Sequence, residues 1–198
     1  MKSKIILASK SEIRKKILDI NGIACKVIPS NLDEDSFKKS FLQENASPEY
    51  ISQNLALLKA NKVSQKYKDE IVLGADSVID LNGSLISKPK SRKEALEILN
   101  ELNGKNHLLI SSVCISKNGN MIWKHTDKAT LTMKNLSITE LKNYLNKISD
   151  KILFSYNVYQ IEGEGKNLFS KIVGEYSTVM GLPIKNIRQY LEDINCSS

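Results

Sequence analysis

One carboxylate and one ammonium in the middle of the chain are placed where they could act together. An apolar run over residues 71–73 leads through two small residues to a single acid, Asp76, which indicates a buried strand with Asp76 at its carboxyl end. A second apolar run meets Asn82-Gly83, a pair typical of a two-residue β-hairpin, and the returning strand brings Lys88 back towards Asp76. An acid at a strand end also serves to cap the following turn, so Asp76 alone does not define a site.

A second candidate site precedes the first predicted helix. An apolar strand over residues 4–8 is followed by Ser9 and Ser11, and then by apolar residues at near-helical spacing. Backbone N–H groups at a helix N-terminus favour an anion, and Arg14 and Lys15 in the first turns add positive charge. The other interpretation is that Ser9 or Ser11 is only the N-cap of this helix.

Acidic residues follow the second predicted strand, which covers residues 23–28. Asp33, Glu34 and Asp35 are consecutive, and their carboxylate oxygens suit Mg²⁺ or Mn²⁺; a solvated turn is the other interpretation. A helix predicted to begin at Ser47-Pro48 carries Lys59 at the edge of its apolar face. Such a lysine ordinarily covers apolar surface with its stem, so Lys59 by itself does not indicate a ligand site.

Strands and helices alternate along the rest of the chain, which predicts an α/β fold with a mixed sheet. Ser91 with Glu94 and Ser137 with Glu140 form capping boxes that begin two amphipathic helices, and Asn118-Gly119 marks a second hairpin. A further strand is predicted over residues 168–173, followed by a closing helix from residue 184. No repeat or linker divides the sequence, so residues 1–198 are expected to form one domain.

Composition limits the classes of function. The 198 residues are 41% hydrophobic and 26% charged, as in ordinary globular proteins, and no apolar run approaches the roughly 20 residues of a membrane helix. The net charge of +7 suits phosphate-rich ligands or nucleic acid, but the lysines are spread out and aromatic residues make up only 6%, which argues against an RNA-binding module. Three scattered cysteines without a CxxC pair favour a reducing, cytoplasmic location over a disulfide scaffold or a zinc site.

Three stretches of the sequence carry a family pattern. They are LASKSEIRKKIL, GADSVIDLNGSLISKPKSRKEALEILNELNGKNH and YQIEGEGKNLFSKIVGEYSTVMGLP, and they are distributed over the chain from residue 7 to residue 183. In content and order they resemble the motifs of the Maf family, nucleoside triphosphate pyrophosphatases first linked to septum formation. The resemblance implies an elongated, two-lobed α/β fold around a long mixed β-sheet with flanking helices, often as a homodimer. It also implies hydrolysis of nucleoside triphosphates to the monophosphate and pyrophosphate with a divalent cation.

The resemblance assigns roles to individual positions. It makes Asp76 the proton acceptor, and it places Glu34 at the family's acid after the second strand; we expect Glu34 and Asp76 to hold Mg²⁺ or Mn²⁺. The residues expected to line the phosphate cleft are Ser9, Arg14, Lys59 and Lys88.

The chain departs from the common family pattern at several positions. In the opening motif, the family's Ser-Pro-Arg-Arg is replaced by Ser11, Glu12, Ile13 and Arg14. In the third motif, Glu162 stands where the family usually has a glutamine. Ahead of that motif, Ser155, Tyr156 and Asn157 replace a Lys-Ala-Gly. Ile13 and Glu162 make the chain similar to the branch that prefers 7-methyl-GTP over dTTP and UTP, and Ser77 is a third expected specificity residue. A carboxylate at Glu162 can accept hydrogen bonds from the N1–H and 2-amino groups of guanine.

A protein of another class remains as the alternative: a nucleotide-binding regulator of cell division or septum formation with little catalysis. The altered opening motif favours it, whereas Asp76 and Lys88 favour the enzyme, because a sensor needs no acid to activate water. The expected partner is a nucleoside triphosphate, with no nucleic acid and no membrane.

Overall fold

The computed structural model describes residues 5–155 and 157–196. Lys4, at the start of the first predicted strand, and Tyr156, one of the departures from the family pattern, lie outside the described residues. Within the described ranges, no helix has both the length and the hydropathy needed to cross a bilayer.

The described strands form one mixed sheet in the order β2-β1-β3-β5-β6-β7, with β4 paired to β3. β1 is parallel to β2 and β3, and the remaining pairs are antiparallel. The strand bounds are β1 Ile5–Leu7, β2 Cys25–Val27, β3 Val72–Leu81, β4 Ser84–Ile86, β5 Asn106–Lys117, β6 Asn120–Met133 and β7 Phe169–Val173.

Helices cover the faces and ends of this sheet. Their bounds are α1 Glu12–Ile20, α2 Glu34–Gln43, α3 Pro48–Ser64, α4 Arg92–Leu102, α5 Ile138–Lys147, α6 Asp150–Ser155, α7 Tyr176–Val179 and α8 Ile184–Cys196, with a 3₁₀ turn at Glu164–Leu168. The predicted α/β class with a mixed sheet and flanking helices is therefore confirmed.

The core divides into two large hydrophobic clusters. One joins α4 and α5 to β5 and β6 and includes the fully buried Leu99 and Leu131. The other joins β1, α1 and the start of α8, and includes Leu18 and Leu182. Each fully buried leucine contributes about 1.5–3 kcal/mol to folding, so both clusters stabilise the packing of the helices on the sheet.

Local turn and cap signals agree with the structure in most places. Asn82, Gly83, Asn118 and Gly119 all have positive φ, as two-residue hairpin turns require, so both predicted hairpins are confirmed. The capping box that begins α5 is complete.

The capping box predicted at the start of α4 is wrong in one half. Ser91 accepts a hydrogen bond from the Glu94 N–H, but the Glu94 carboxylate accepts from the N–H of Lys90, one residue before the N-cap. Ser91 therefore remains the N-cap of α4, and Glu94 satisfies a neighbouring donor.

Two of the predicted strand boundaries are wrong because long-range pairing overrides the local breaks. β3 runs without interruption from Val72 to Leu81, so Asp76 lies in the middle of the strand and not at its carboxyl end. The sequence also predicts one strand over residues 121–126 and a further strand through Ala129, Leu131 and Met133, but β6 is one strand because it pairs with β5 along its length. α2 and α6 are not predicted from the sequence.

Candidate active site

Asp76 lines a cleft at the part of β3 where one strand edge is unpaired. β5 occupies one edge of β3 from Val72 to Asp80. On the other edge, β1 pairs only as far as Leu73 and β4 begins only at Ile79. The gap between these two partners exposes the middle of β3 to a cleft, so a mid-strand acid can serve a site.

Gly74 lets α3 approach β3 unusually closely beside this gap. A Cβ at Gly74 would lie 2.3 Å from the Ala56 carbonyl oxygen and 2.7 Å from the Ala60 nitrogen, both backbone atoms of α3. Only a residue without a side chain permits this contact. The same close packing brings Lys59 of α3 over the strand next to Asp76.

Lys59 joins two acids across the cleft. Its ammonium lies 2.8 Å from Asp76 Oδ1 and 3.0 Å from Glu34 Oε2, and the residue is only 5% exposed. The prediction that Lys59 lies at the edge of the apolar face of its helix is therefore wrong: the side chain is buried because both carboxylates neutralise it.

The two acids differ in their surroundings. The second Asp76 oxygen, Oδ2, is buried and has no hydrogen-bond partner among the described residues, while Ser52 Oγ donates to the Asp76 carbonyl at 3.2 Å. Desolvation opposes ionisation of Glu34, but attraction to Lys59, Lys38 and Lys88 outweighs it, and the pKa of Glu34 is lowered from 4.5.

Of the three consecutive acids, only Glu34 lines the cleft. Asp33 is the N-cap of α2 and accepts from the Ser36 N–H at 3.2 Å, and Asp35 is exposed. The acidic stretch is thus a helix start that supplies one side chain to the site.

Arg14 is held by backbone and hydroxyl acceptors from distant parts of the chain. Its guanidinium donates to the carbonyl oxygens of Gly181 and Ala75, both at 2.9 Å, and to the hydroxyls of Ser9 at 3.2 Å and Ser77 at 3.1 Å. These contacts connect α1, β3 and the turn before α8. Arg14 therefore organises the cleft wall, and its role as a phosphate ligand stays a prediction.

At the start of α1, one of the two candidate serines is the N-cap and the other lines the cleft. Ser11 is the N-cap and accepts from the Arg14 N–H at 3.3 Å. Ser9 accepts from the Ser11 N–H as well as from Arg14, and it lines the cleft. Lys15 pairs with Asp19 on the exposed side of the helix.

Lys88 reaches the cleft from the segment after β4. Its side chain is exposed to the cleft opening, yet the pKa of its ammonium is lowered from 10.5. Desolvation by the surrounding protein is the largest cause of the lower pKa, and repulsion from Lys38 and Arg14 lowers it further. Attraction to Glu34 and Asp76 raises the pKa but does not cancel these effects. Burial is thus the main reason for the lowered pKa of Lys88, and the neighbouring charges are smaller causes of both signs.

The segment between α6 and the 3₁₀ turn also lines the cleft. Glu162 lines the cleft and accepts from Gln160 Nε2 at 3.0 Å. Tyr159 lines it as well and pairs with Nε2 of the buried His107 at 2.8 Å. Burial lowers the pKa of His107 from 6.5 to about 4.

Most of the predicted site residues therefore meet in one open cleft of about 520 Å³, whose lining includes Ser9, Arg14, Glu34, Lys59, Asp76, Ser77, Lys88 and Glu162. Ile13 does not line it, since this side chain packs against the hydrophobic cluster around Leu18 and Leu182. Its role in specificity stays a prediction.

The sequence did not single out two residues that bear on the site. Lys38 lines the cleft, and its only sequence signal is its position four residues after Glu34, which becomes informative once α2 is known to be a helix. Ser52, which fixes the backbone of Asp76, has no sequence signal beyond its place on the buried face of α3.

A buried acid beside several cations, in an open cleft along a mixed α/β sheet, can bind and polarise a phosphorylated substrate. The model of the Maf-like protein family matches residues 4–194, so the chain belongs to this family, as its three motifs predict.

Relatives cover nearly the whole chain. A nucleoside triphosphate pyrophosphatase of Pelagibacter ubique (strain HTCC1062) is 66% identical over 194 residues, 98% of this chain and 100% of that protein. A 7-methyl-GTP pyrophosphatase of Brucella abortus biovar 1 (strain 9-941) is 34% identical over 196 residues, 99% of this chain and 98% of that protein. A solved HAM1 protein from Coxiella burnetii aligns over 68% of this chain and 74% of that chain, with 15% identity and a TM-score of 0.45.

Proposed function

We propose that this protein is a nucleoside triphosphate pyrophosphatase, which hydrolyses its substrate to the nucleoside monophosphate and pyrophosphate. The observation that carries the proposal is the Asp76 carboxylate, which is buried in the cleft with one oxygen on Lys59 and the other without a partner among the described residues. The names of relatives that match this chain over nearly its full length support the same activity.

In the proposed reaction, water attacks the α-phosphorus and pyrophosphate leaves. Asp76 Oδ2 accepts the proton of the attacking water, because Oδ1 is already occupied by Lys59. The ammoniums of Lys59 and Lys88 lie where they reduce the repulsion between the anionic substrate and the two acids. Arg14 keeps Ser9 and Ser77 in place along the cleft wall.

The acids also fit a divalent cation. Mg²⁺ commonly takes one or two protein carboxylates and completes its shell with water and substrate phosphates. Asp76 Oδ2, which has no partner among the described residues, would be one ligand instead of the proton acceptor, and Glu34 across Lys59 would be the second ligand. Within the described residues no group of three or more His, Cys, Asp or Glu side chains forms a metal site, so the substrate would supply the remaining ligands. When bound, Mg²⁺ or Mn²⁺ supplies Lewis-acid polarisation of the α-phosphate.

The proposed substrate is a modified guanine nucleotide such as 7-methyl-GTP. Glu162 is the supporting residue, because it lines the cleft and its carboxylate can accept hydrogen bonds from two donors of a guanine edge. Gln160 holds this carboxylate in place through one of its oxygens. The homodimer, the cytoplasmic location and the one-domain organisation stay predictions.

The test is product analysis with a panel of triphosphates that contains 7-methyl-GTP, GTP, dTTP and UTP, each with Mg²⁺ or Mn²⁺. Formation of monophosphate and pyrophosphate is the expected result, and formation of diphosphate and phosphate would overturn the proposal. Nucleotide binding without turnover would instead favour the regulator of cell division, and preference for dTTP and UTP would overturn the assignment of the base.

A further inference from the structure

Six cationic residues of the described chain line the cleft, and four of them fall into two groups; the other two are Lys10 and Lys151. Arg14 and Lys59 donate to protein acceptors, including the carboxylates of Asp76 and Glu34. Lys38 and Lys88 line the same cleft, and in the described part of the chain neither ammonium has a hydrogen bond or an ion pair. Ammonium groups without a protein partner are the ones that remain available to an anionic ligand.

Lys38 is brought to the cleft by the same helix face as Glu34. The two residues are four positions apart on α2, so their side chains leave the helix on one side. Glu34 is fixed by Lys59, and at the other end of α2 the Phe41 ring packs edge-on against Tyr50 at 5.8 Å. These contacts hold α2 with Lys38 turned towards the cleft.

Packing alone does not explain this position of Lys38. No residue of α2 is buried, so the helix contributes little to the core. Lys38 lies close enough to Lys88 for their repulsion to help lower the pKa of Lys88. The repulsion between these two ammonium groups destabilises the cleft when no ligand is bound, and a polyanion bound between them would offset this repulsion.

We propose that Lys38 is a further phosphate-binding residue, which together with Lys88 holds the polyphosphate part of the substrate from the α2 side of the cleft. The proposal rests on the proposed function, since it concerns the same cleft and the same class of substrate. Glu34, which is attracted to both lysines, offsets part of their positive charge in the empty site.

Binding of inorganic triphosphate, measured by titration calorimetry, tests the proposal without any need for turnover. Loss of one charged hydrogen bond of about 1.5–3 kcal/mol weakens binding at least about tenfold, which is expected for Lys38→Gln. Lys39→Gln is the matched control, because Lys39 is the exposed neighbour on the same helix and does not line the cleft. It should bind like the wild type, and Lys38→Arg should keep most of the affinity because it keeps the charge.

Equal binding by the Lys38→Gln and Lys39→Gln variants would overturn the proposal, as would a wild-type protein that does not bind triphosphate. The thermal unfolding midpoint of Lys38→Gln should match that of the wild type, and Lys38→Met serves as a second variant if the first does not fold.

Hydrolysis assays separate this proposal from the proposed function. If nucleotides are hydrolysed, Lys38→Gln should raise KM with little change in kcat, as expected for a contact made equally in the ground and transition states. An unchanged KM would refute the role of Lys38 and leave the proposed function intact. Triphosphate binding that depends on Lys38, in a protein that hydrolyses no nucleotide, would support Lys38 and refute the proposed function.

Discussion

Acidification from pH 7 to pH 5 should weaken the folded state through one buried side chain, His107. This residue is 2% exposed, its Nε2 pairs with Tyr159, and its Nδ1 has no partner among the described residues. A charged imidazolium would be desolvated there without a compensating anion, which is why burial lowers its pKa from 6.5 to about 4.

The sign and size of the effect follow from proton linkage. Between pH 6.5 and pH 4 the unfolded chain carries a proton on His107 that the folded protein does not, so stability falls as the pH falls. The whole shift corresponds to about 3 kcal/mol, of which about 2 kcal/mol is lost between pH 7 and pH 5. Glu34 and Glu140 have lowered pKa values and lose their contribution only below about pH 4.5, outside this window.

The assay is urea unfolding at pH 5, 6 and 7 for the wild type and for His107→Gln, which cannot titrate. Because of the altered packing, the variant should be less stable at pH 7, but most of the pH dependence in this window should disappear. His125→Gln is the control, since His125 is half-buried and stacks on Trp123 away from this cluster. An equal loss of stability on acidification in the wild type and in His107→Gln would refute the reasoning.

Three further substitutions address the cleft. Lys59→Met leaves the Asp76 carboxylate buried without its cation, and we expect the free energy of unfolding to fall by about 3–5 kcal/mol at pH 7. Gly74→Ala places a Cβ 2.3 Å from the Ala56 carbonyl oxygen, so α3 must shift; urea unfolding should show a loss of about 1–3 kcal/mol, and kcat should fall. Glu162→Gln should change the ratio of kcat/KM for 7-methyl-GTP and dTTP on the order of tenfold towards dTTP, measured by pyrophosphate release.

Each of these expectations has an outcome that contradicts it. A Lys59→Met protein as stable as the wild type would mean that the bridge between the acids does not hold the cleft together. Wild-type stability and turnover in Gly74→Ala would mean that the close approach of α3 is not needed. An unchanged nucleotide preference in Glu162→Gln would remove this residue from base recognition.

Features encoded by short-range chemistry were predictable from the sequence. The Asn82-Gly83 and Asn118-Gly119 turns need positive φ, which these residue types adopt readily, and both hairpins form where expected. The complete capping box at Ser137 likewise depends on four consecutive residues.

Features that depend on partners far along the chain were not predictable. The middle of β3 is strand because β5 pairs with it, although Gly74 and Asp76 interrupt its local apolar pattern. The Arg14 guanidinium donates to a carbonyl 167 residues away, which no local spacing indicates. Lys38 belongs to the cleft only because α2 docks through an ion pair and an aromatic contact, while α2 itself lacks a buried face.

The most direct test of the proposed chemistry is the turnover of Asp76→Asn, a substitution that keeps the shape of the side chain but removes its ability to accept a proton. Nucleoside monophosphate formation from the preferred nucleotide should fall by about 10²–10⁴-fold relative to the wild type, while thermal unfolding shows an intact fold. Turnover close to that of the wild type in the folded variant would contradict the assignment of Asp76 as the group that activates water.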